Sequence, residues 1–418
     1  MIRGFQRQRG MVLVQALVVI AGLAALMAAL AANQRAMIQS TLDQMRQRRA
    51  EVAAQSAVAR AVAVLQNSNP NLVTLNDEWA TLGDNGNQEF ELGNSTFRLQ
   101  IIDANSLVNV NVATEAQLQL LPLTPEQVSS LLDWRDAEVQ PRSDGAKDEY
   151  YNSLTTAYNT RLSRLTTLSE LLLIRGWTAR GLYTGQTDAV TVTTATPATD
   201  SEGNPLPLIG LLTADGGVPN TTADGGTRIN FGQANLNAQA IQQFGVPPQI
   251  ADQIINAAPY TSFLELLTQP GVSGDIQQRF LENVTFVNTN RLEGKINVNT
   301  ATQAVLETIP NMTPDIAAAM VSRQATGFNT LGEIITVPGL TGGVLTQVAD
   351  SLTVGSDTWI IRAYGESGGV GVAIEATAGR RNDRMRILTW ERLASPDIPA
   401  WWNWELEPTT TVAAGGGL

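Results

Sequence analysis

The sequence contains no cysteine and no histidine. Without cysteine there is no disulfide, no thiolate nucleophile and no thiolate metal site, and the chain suits either redox compartment. Without histidine it lacks the commonest general base near neutral pH and the commonest transition-metal ligand. Enzymatic chemistry would rest on carboxylates, serine, tyrosine or the two lysines, Lys147 and Lys295, and no nucleophile–base constellation stands out. The composition therefore argues against an enzyme. Only 16% of the residues are charged and the net charge is −12, which argues against a general binder of nucleic-acid phosphates. Only one apolar run approaches membrane-spanning length, so the chain is not a membrane bundle. Its 418 residues suffice for two or three domains.

That one run, residues 11–32, reads MVLVQALVVIAGLAALMAALAA and carries no formal charge. As a helix it measures ~33 Å, enough to cross a bilayer core. Arg3, Arg7 and Arg9 precede it and favour a cytoplasmic amino terminus. Three fates are open. Small residues at Ala31 and Ala32 offer a signal-peptide cleavage site, although the run exceeds the usual ~7–15 residues. The run also suits a plain anchor, or a helix retained after a cut that follows Gly10 and leaves Met11 first. Gln15 is the one polar side chain in the early part of the span. Residues 33–66 contain no glycine or proline, and Met37, Thr41, Met45, Val52, Val58, Val62 and Leu65 recur at roughly helical spacing. The spacing predicts one helix over residues 11–65, ~80 Å long. Asn67, Ser68, Asn69 and Pro70 end it.

Strand-like alternation follows: Phe90 and Leu92, a turn at Gly93-Asn94, then Phe97, Leu99 and Ile101. Comparable runs return only at residues 359–365, 370–379 and 385–390. One sheet built from both groups would be interrupted by a large insertion. The expected fold is α+β: a long amino-terminal helix, an antiparallel sheet and an inserted α-rich domain.

The insertion carries an internal repeat. Residues 107–114 (LVNVNVAT) and 295–302 (KINVNTAT) each lead to a proline-containing turn, a helix (128–134 or 316–323) and a Leu-containing segment that ends near Gly176 or Gly339. A weaker copy runs from Arg228 through a helix over 250–255 to Gly271. Each copy reads as an Asn-capped helix, a tight turn and further helices. The chain thus divides into a leader (1–10), a transmembrane and spine helix (11–66), and a β domain in two pieces (67–102 and 355–393). Between those pieces lie a first repeat with an acidic insertion (103–185), a Thr- and Gly-rich loop (186–227), a second repeat (228–290) and a third (291–354). A tail (394–418) follows. Within the loop, residues 206–212 form an apolar patch suited to docking. Trp401, Trp402 and Trp404 belong either to a poorly ordered end or to a partner contact.

Inside the first repeat, Asp133, Asp136, Glu138, Asp144, Asp148 and Glu149 surround Gly145. Six carboxylates around a glycine turn supply the oxygen type that calcium prefers, and a solvated acidic loop is the plainer alternative.

The repeats resemble the helix-hairpin-helix family, which implies DNA binding through a glycine-containing turn. Leu121-Pro122-Leu123-Thr124 and Ile309-Pro310-Asn311-Met312-Thr313 lack those glycines, so no nucleic acid is expected; a membrane-anchored DNA-uptake protein is the alternative function. The order of features resembles the K-type minor pseudopilin family of type II secretion. These features are the glycine-ended leader, Gln15 where most pilin-like proteins have glutamate, the Asn repeats and the Asp133-Trp134 insertion with Tyr150-Tyr151. Lys147 departs from the family's glutamate and Glu138 from its aspartate.

The resemblance implies cleavage by a prepilin peptidase between Gly10 and Met11, methylation there, and Gln15 at the filament's fifth position. It implies a calcium site in the acidic loop. Its implied partners are the I- and J-type minor pseudopilins, the major pseudopilin and the inner-membrane assembly platform. The implied location is a single pass through the inner membrane with the bulk in the periplasm, at the tip of a pseudopilus whose assembly it initiates and which supports protein export.

Overall fold

The computed structural model describes residues 5–185 and 205–413. Helix α1 (Phe5–Gln66) is continuous. Ala, Leu, Gln and Arg dominate it, and all of these are strong helix formers. Its large apolar side chains from Met11 to Leu30 are each at least half exposed. Among the described residues this is the one helix long and apolar enough to cross a membrane. The final turn tightens as the Asn67 N–H donates to the Val64 carbonyl at 3.1 Å. The Arg380 guanidinium then caps the helix, Nη2 donating to the carbonyls of Leu65, Gln66 and Ser68 at 2.9, 3.1 and 2.8 Å. A cation is favoured there by the free carbonyls and the negative end of the helix dipole.

The second half of α1 lies on a six-stranded sheet. Its strands are β1 (Gln88–Leu92), β2 (Ser95–Asp103), β3 (Thr358–Ser367), β4 (Val370–Arg381), β5 (Arg384–Arg392) and β6 (Thr410–Ala413). Their spatial order is β5-β4-β3-β2-β1-β6. All neighbours are antiparallel except β1 and β6. Small side chains set the helix–sheet distance: Ala50, Ala53, Ala54, Ala57 and Ala61 are wholly buried against Leu99, Trp359, Ile361 and Ala363. At Gly365 the two backbones touch. A Cβ added there would lie 2.1 Å from the Ala50 carbonyl oxygen and 2.4 Å from the Ala54 nitrogen.

Strands β2 and β3 are paired, Asp103 opposite Trp359, although the insertion separates them in sequence. Both open into the insertion at the end of the sheet where Arg380 meets the carboxy-terminal turn of α1. The inserted module therefore stands at the pole opposite the apolar half of α1.

Within it, three segments share one element order, interrupted in the first by the extra helix Asp148–Asn152, and each is closed by a short parallel strand pair. The first runs from Val108–Asn109, paired with Leu212–Thr213, through helices Glu115–Leu118, α2 (Pro125–Arg135), Leu168–Leu173 and Ala179–Thr184. The second pairs Ile229–Asn230 with Val284–Thr285 around Ala238–Gln242, Pro248–Ala257, Phe263–Leu267 and Asp275–Asn283. The third pairs Ile296–Asn297 with Leu352–Thr353 around Gln303–Leu306, Pro314–Arg323, Leu331–Thr336 and Gly342–Val348. A single hydrophobic core runs through all three.

The structure corrects the role of the repeat asparagines. Thr114 and Thr302 cap the first helices of copies one and three, and Asn237 does so in copy two. Asn109 and Asn297 instead close turns by accepting from the N–H two residues on, at 2.9 and 3.0 Å. Asn111 and Asn299 each bracket a distant backbone. Asn111 accepts from the Leu165 N–H and donates to its carbonyl, and Asn299 does the same with Phe328. Accepting from the N–H and donating to the carbonyl of one residue demands an amide side chain, which explains the recurrence of Asn.

The carboxy-terminal tryptophans also differ from expectation. Trp402 and Trp404 are buried on this chain's own sheet beside Ala373, and Trp401 stacks on Tyr183 at 4.5 Å. The apolar patch is likewise internal, with Leu208, Ile209, Leu211 and Leu212 in the core of the insert. The Thr-rich residues 186–204 of the expected loop, and residues 1–4 of the leader, lie outside the described residues.

Candidate functional site

Three places carry candidate functional residues. At the first, Gly10, Met11 and Gln15 all fall within α1, and Met11 and Gln15 are exposed.

The second is the acidic loop after α2. Thr124 and Gln127 form a reciprocal capping box at its start, with Pro125 at the first helical position. The helix delivers Asp133 and Trp134 into the interior at its end. Trp134 packs edge-on against Tyr151 of α3 (Asp148–Asn152), ring centroids 5.2 Å apart. Asp133 is fully buried. Its Oδ1 accepts from Arg142 Nη1 at 2.7 Å and its Oδ2 from the Arg142 backbone N–H at 3.0 Å. Asp136 Oδ2 accepts from Arg142 Nη2 at 3.1 Å, and Oδ1 from the Glu138 N–H at 3.2 Å. Those two contacts, the Glu138 N–H foremost, hold the Asp136 carboxyl below the usual carboxylate range.

Lys147 is buried beneath this pair. Its Nζ donates to the backbone carbonyls of Asp133 and, at 2.9 Å, of Asp136. Burial pushes the ammonium below the ordinary lysine range, against the pull of Asp133 and Asp136. Gly145 closes the loop, since a Cβ there would lie 1.8 Å from Asp133 Oδ2.

The six expected oxygen donors are not gathered. Glu138, Asp144, Asp148 and Glu149 are exposed, and Asp148 Oδ1 accepts from the Thr160 N–H at 2.7 Å. Among the described residues no group of three or more acidic side chains is arranged to hold a metal. The residues present do not fit calcium, because Lys147 fills the buried end of the loop and Arg142 already takes both carboxylates from its more exposed side. The sequence reasoning missed Arg142; the available signal was a basic residue, like Arg135, inside an acid-rich run.

The third place, which sequence reasoning missed, joins insert to sheet. Asp103 ends β2 and is buried. Its Oδ1 accepts from the Asn105 N–H at 2.8 Å, and its Oδ2 from Asn297 Nδ2 at 2.8 Å and Thr300 Oγ1 at 2.7 Å. Burial nonetheless raises its pKa above the usual carboxylate range. Nearby Arg291 bridges Asp357, Asp215 and Glu293 at 2.6, 3.0 and 2.6 Å. The link after the first repeat, the link before the third and the return to β3 are thereby tied together.

Known proteins match the same regions. Residues 105–192 and residues 296–355 each match a family described as type II secretion system (T2SS), protein K. The type II secretion system protein K of Klebsiella pneumoniae is 29% identical over 197 residues, covering 41% of this chain and 59% of that protein. A chain in the crystal structure of the GspK-GspI-GspJ complex from the enterotoxigenic Escherichia coli type 2 secretion system superimposes with a TM-score of 0.52. The match is 16% identical and covers 85% of this chain and all of that one, which is a likeness of fold. The spine helix with its sheet, the helical insert and the two matched segments agree: the chain is similar to type II secretion system protein K, in sequence over those two segments and in fold over most of its length.

Proposed function

We propose that this chain is a minor pseudopilin at the tip of a type II secretion pseudopilus, where it starts assembly and supports protein export. It is a structural component of secretion and not an enzyme. The observation that carries the reading is the position of the insert, at the pole of the sheet farthest from the apolar half of α1. Beyond residue 32 the helix continues for ~50 Å, so the module stands well clear of a bilayer. A module of that size would clash with a subunit stacked above it, and nothing is stacked above a tip.

Gln15 supports the same place. A glutamate at that position would pair with the cationic amino terminus of a subunit above, and an amide has no charge to offer. The I- and J-type minor pseudopilins, the major pseudopilin and the inner-membrane assembly platform are the partners of this reading, with the bulk in the periplasm. A prepilin peptidase would cut after Gly10 and leave Met11 as the methylated first residue. The DNA-uptake alternative finds no support in the family matches.

Mass spectrometry of the membrane-extracted protein tests the processing step: a mature chain starting elsewhere than Met11 removes the prepilin reading. Gln15→Glu should leave secretion intact or mildly reduced, and complete loss would count against the tip.

A further inference from the structure

The loop between α2 and α3 has the acidic residues of a cation site and also carries two cations of its own. Asp133 and Asp136 together present six oxygen atoms, four on carboxylates and two on backbone carbonyls. All six already accept a hydrogen bond. Arg142 Nη1 and the Arg142 N–H take the Asp133 carboxylate; Arg142 Nη2 and the Glu138 N–H take that of Asp136. Lys147 Nζ takes both carbonyls. A calcium ion needs six to eight oxygens at about 2.3–2.6 Å, so it could enter only by displacing both side chains.

The charges also balance, since two carboxylates face one guanidinium and one ammonium. The ammonium sits at the carboxy-terminal end of α2, where unpaired carbonyls and the helix dipole favour a positive charge. Gly145 leaves no slack, because its missing Cβ is filled by Asp133 Oδ2.

We propose that Lys147 and Arg142 are resident counterions that replace a divalent metal in this loop, so that the inserted module folds and stays folded without calcium. Lys147 acts as the pin of the α2 terminus and Arg142 as the clamp on the two carboxylates. Tyr150, Tyr151 and Trp134 are then held in place in calcium-poor and calcium-rich surroundings alike.

The test uses the full chain in detergent micelles. Thermal unfolding is followed by tryptophan fluorescence in millimolar calcium and in excess EGTA, with calorimetric titration of calcium beside it. The wild-type midpoint should be the same in both, with no binding heat. Lys147→Met should lower the midpoint by several degrees and Lys147→Arg by less, in both media. A wild-type midpoint raised by calcium, or stoichiometric calcium heat, overturns the proposal. So does a Lys147→Met variant as stable as the parent. If Lys147→Met fails to accumulate, the wild-type calcium arm and Lys147→Arg still decide.

Discussion

Asp103 offers the sharpest test of how insert and sheet are joined. Asp103→Ala removes two oxygens that accept from the Asn105 N–H, Asn297 Nδ2 and Thr300 Oγ1. Asn297 Nδ2 keeps the Val73 carbonyl at 3.1 Å, and the Thr300 hydroxyl is free to turn. The Asn105 N–H and part of the remaining pair are stranded, at about 1–3 kcal/mol for each buried donor. The expected loss is about 2–5 kcal/mol. Asp103→Asn keeps the shape and removes a buried charge, but must turn its own NH2 toward a donor; about 1–2 kcal/mol is expected. The pH dependence separates the two contributions. Burial raises the folded pKa of Asp103, so the fold binds that proton more tightly than the unfolded chain does. The stability it contributes is complete below the unfolded value, ~3.9, and is lost as pH rises through the folded pKa. The advantage of wild type over Asp103→Asn should thus be largest in acid and shrink as pH rises. Denaturant titrations read by fluorescence suit the purpose, because Trp359 is fully buried directly opposite Asp103. An advantage that grows with pH, or equal losses for the two variants, would refute this account.

Other outcomes follow from contacts elsewhere. Gly365→Val should cost about 1–3 kcal/mol or more, as Ala50 and Ala54 must retreat by about 1 Å, with Gly365→Ala milder; thermal midpoints measure this. Arg380→Ala removes three carbonyl contacts from the end of α1, and hydrogen exchange of the last helical turn should quicken in line with a loss of about 1–2 kcal/mol. Trp404 fills the space over Gly86, faces Arg98 and donates to Gln100 Oε1 at 3.1 Å. Trp404→Ala should release the segment that carries β6 to limited proteolysis, leaving the α1–sheet core protected; an unchanged cleavage pattern would rule that anchor out.

Helix α1 was legible because its signal is local: a long stretch of helix formers with its breakers at residues 67–70. The β1–β2 hairpin and strands β3 to β5 were legible from alternation and turns, and the repeats from self-similarity. What escaped notice depends on partners far away in sequence. Arg98 donates to the Glu405 carbonyl at 2.7 Å across 307 residues, and no local pattern announces that the tail returns to the sheet. Asp103 carries no local sign of its role, because its partner Asn297 is 194 residues away in sequence. The asparagines of the first and third copies resemble caps in sequence because Asn caps helices and closes turns with the same side-chain oxygen. In the acidic loop the carboxylates were visible in composition, but whether their charges meet a metal or a neighbouring guanidinium is decided by geometry.

The split of the sheet has a consequence for how the molecule is made. A ribosome delivers β1 and β2 long before β3 exists, so the centre of the sheet must wait for the whole insert. Asn105 and Gly355 are 250 residues apart in sequence, yet Asn105 Nδ2 lies 3.1 Å from the Gly355 carbonyl. Closing so long a flexible loop would cost about 5 kcal/mol of chain entropy. If the insert folds first around its own core, that closure is already made, and its two ends present β2 and β3 to each other. The module is then the template on which the pilin-like half nucleates, and a lesion inside it would appear first as a sheet that never forms.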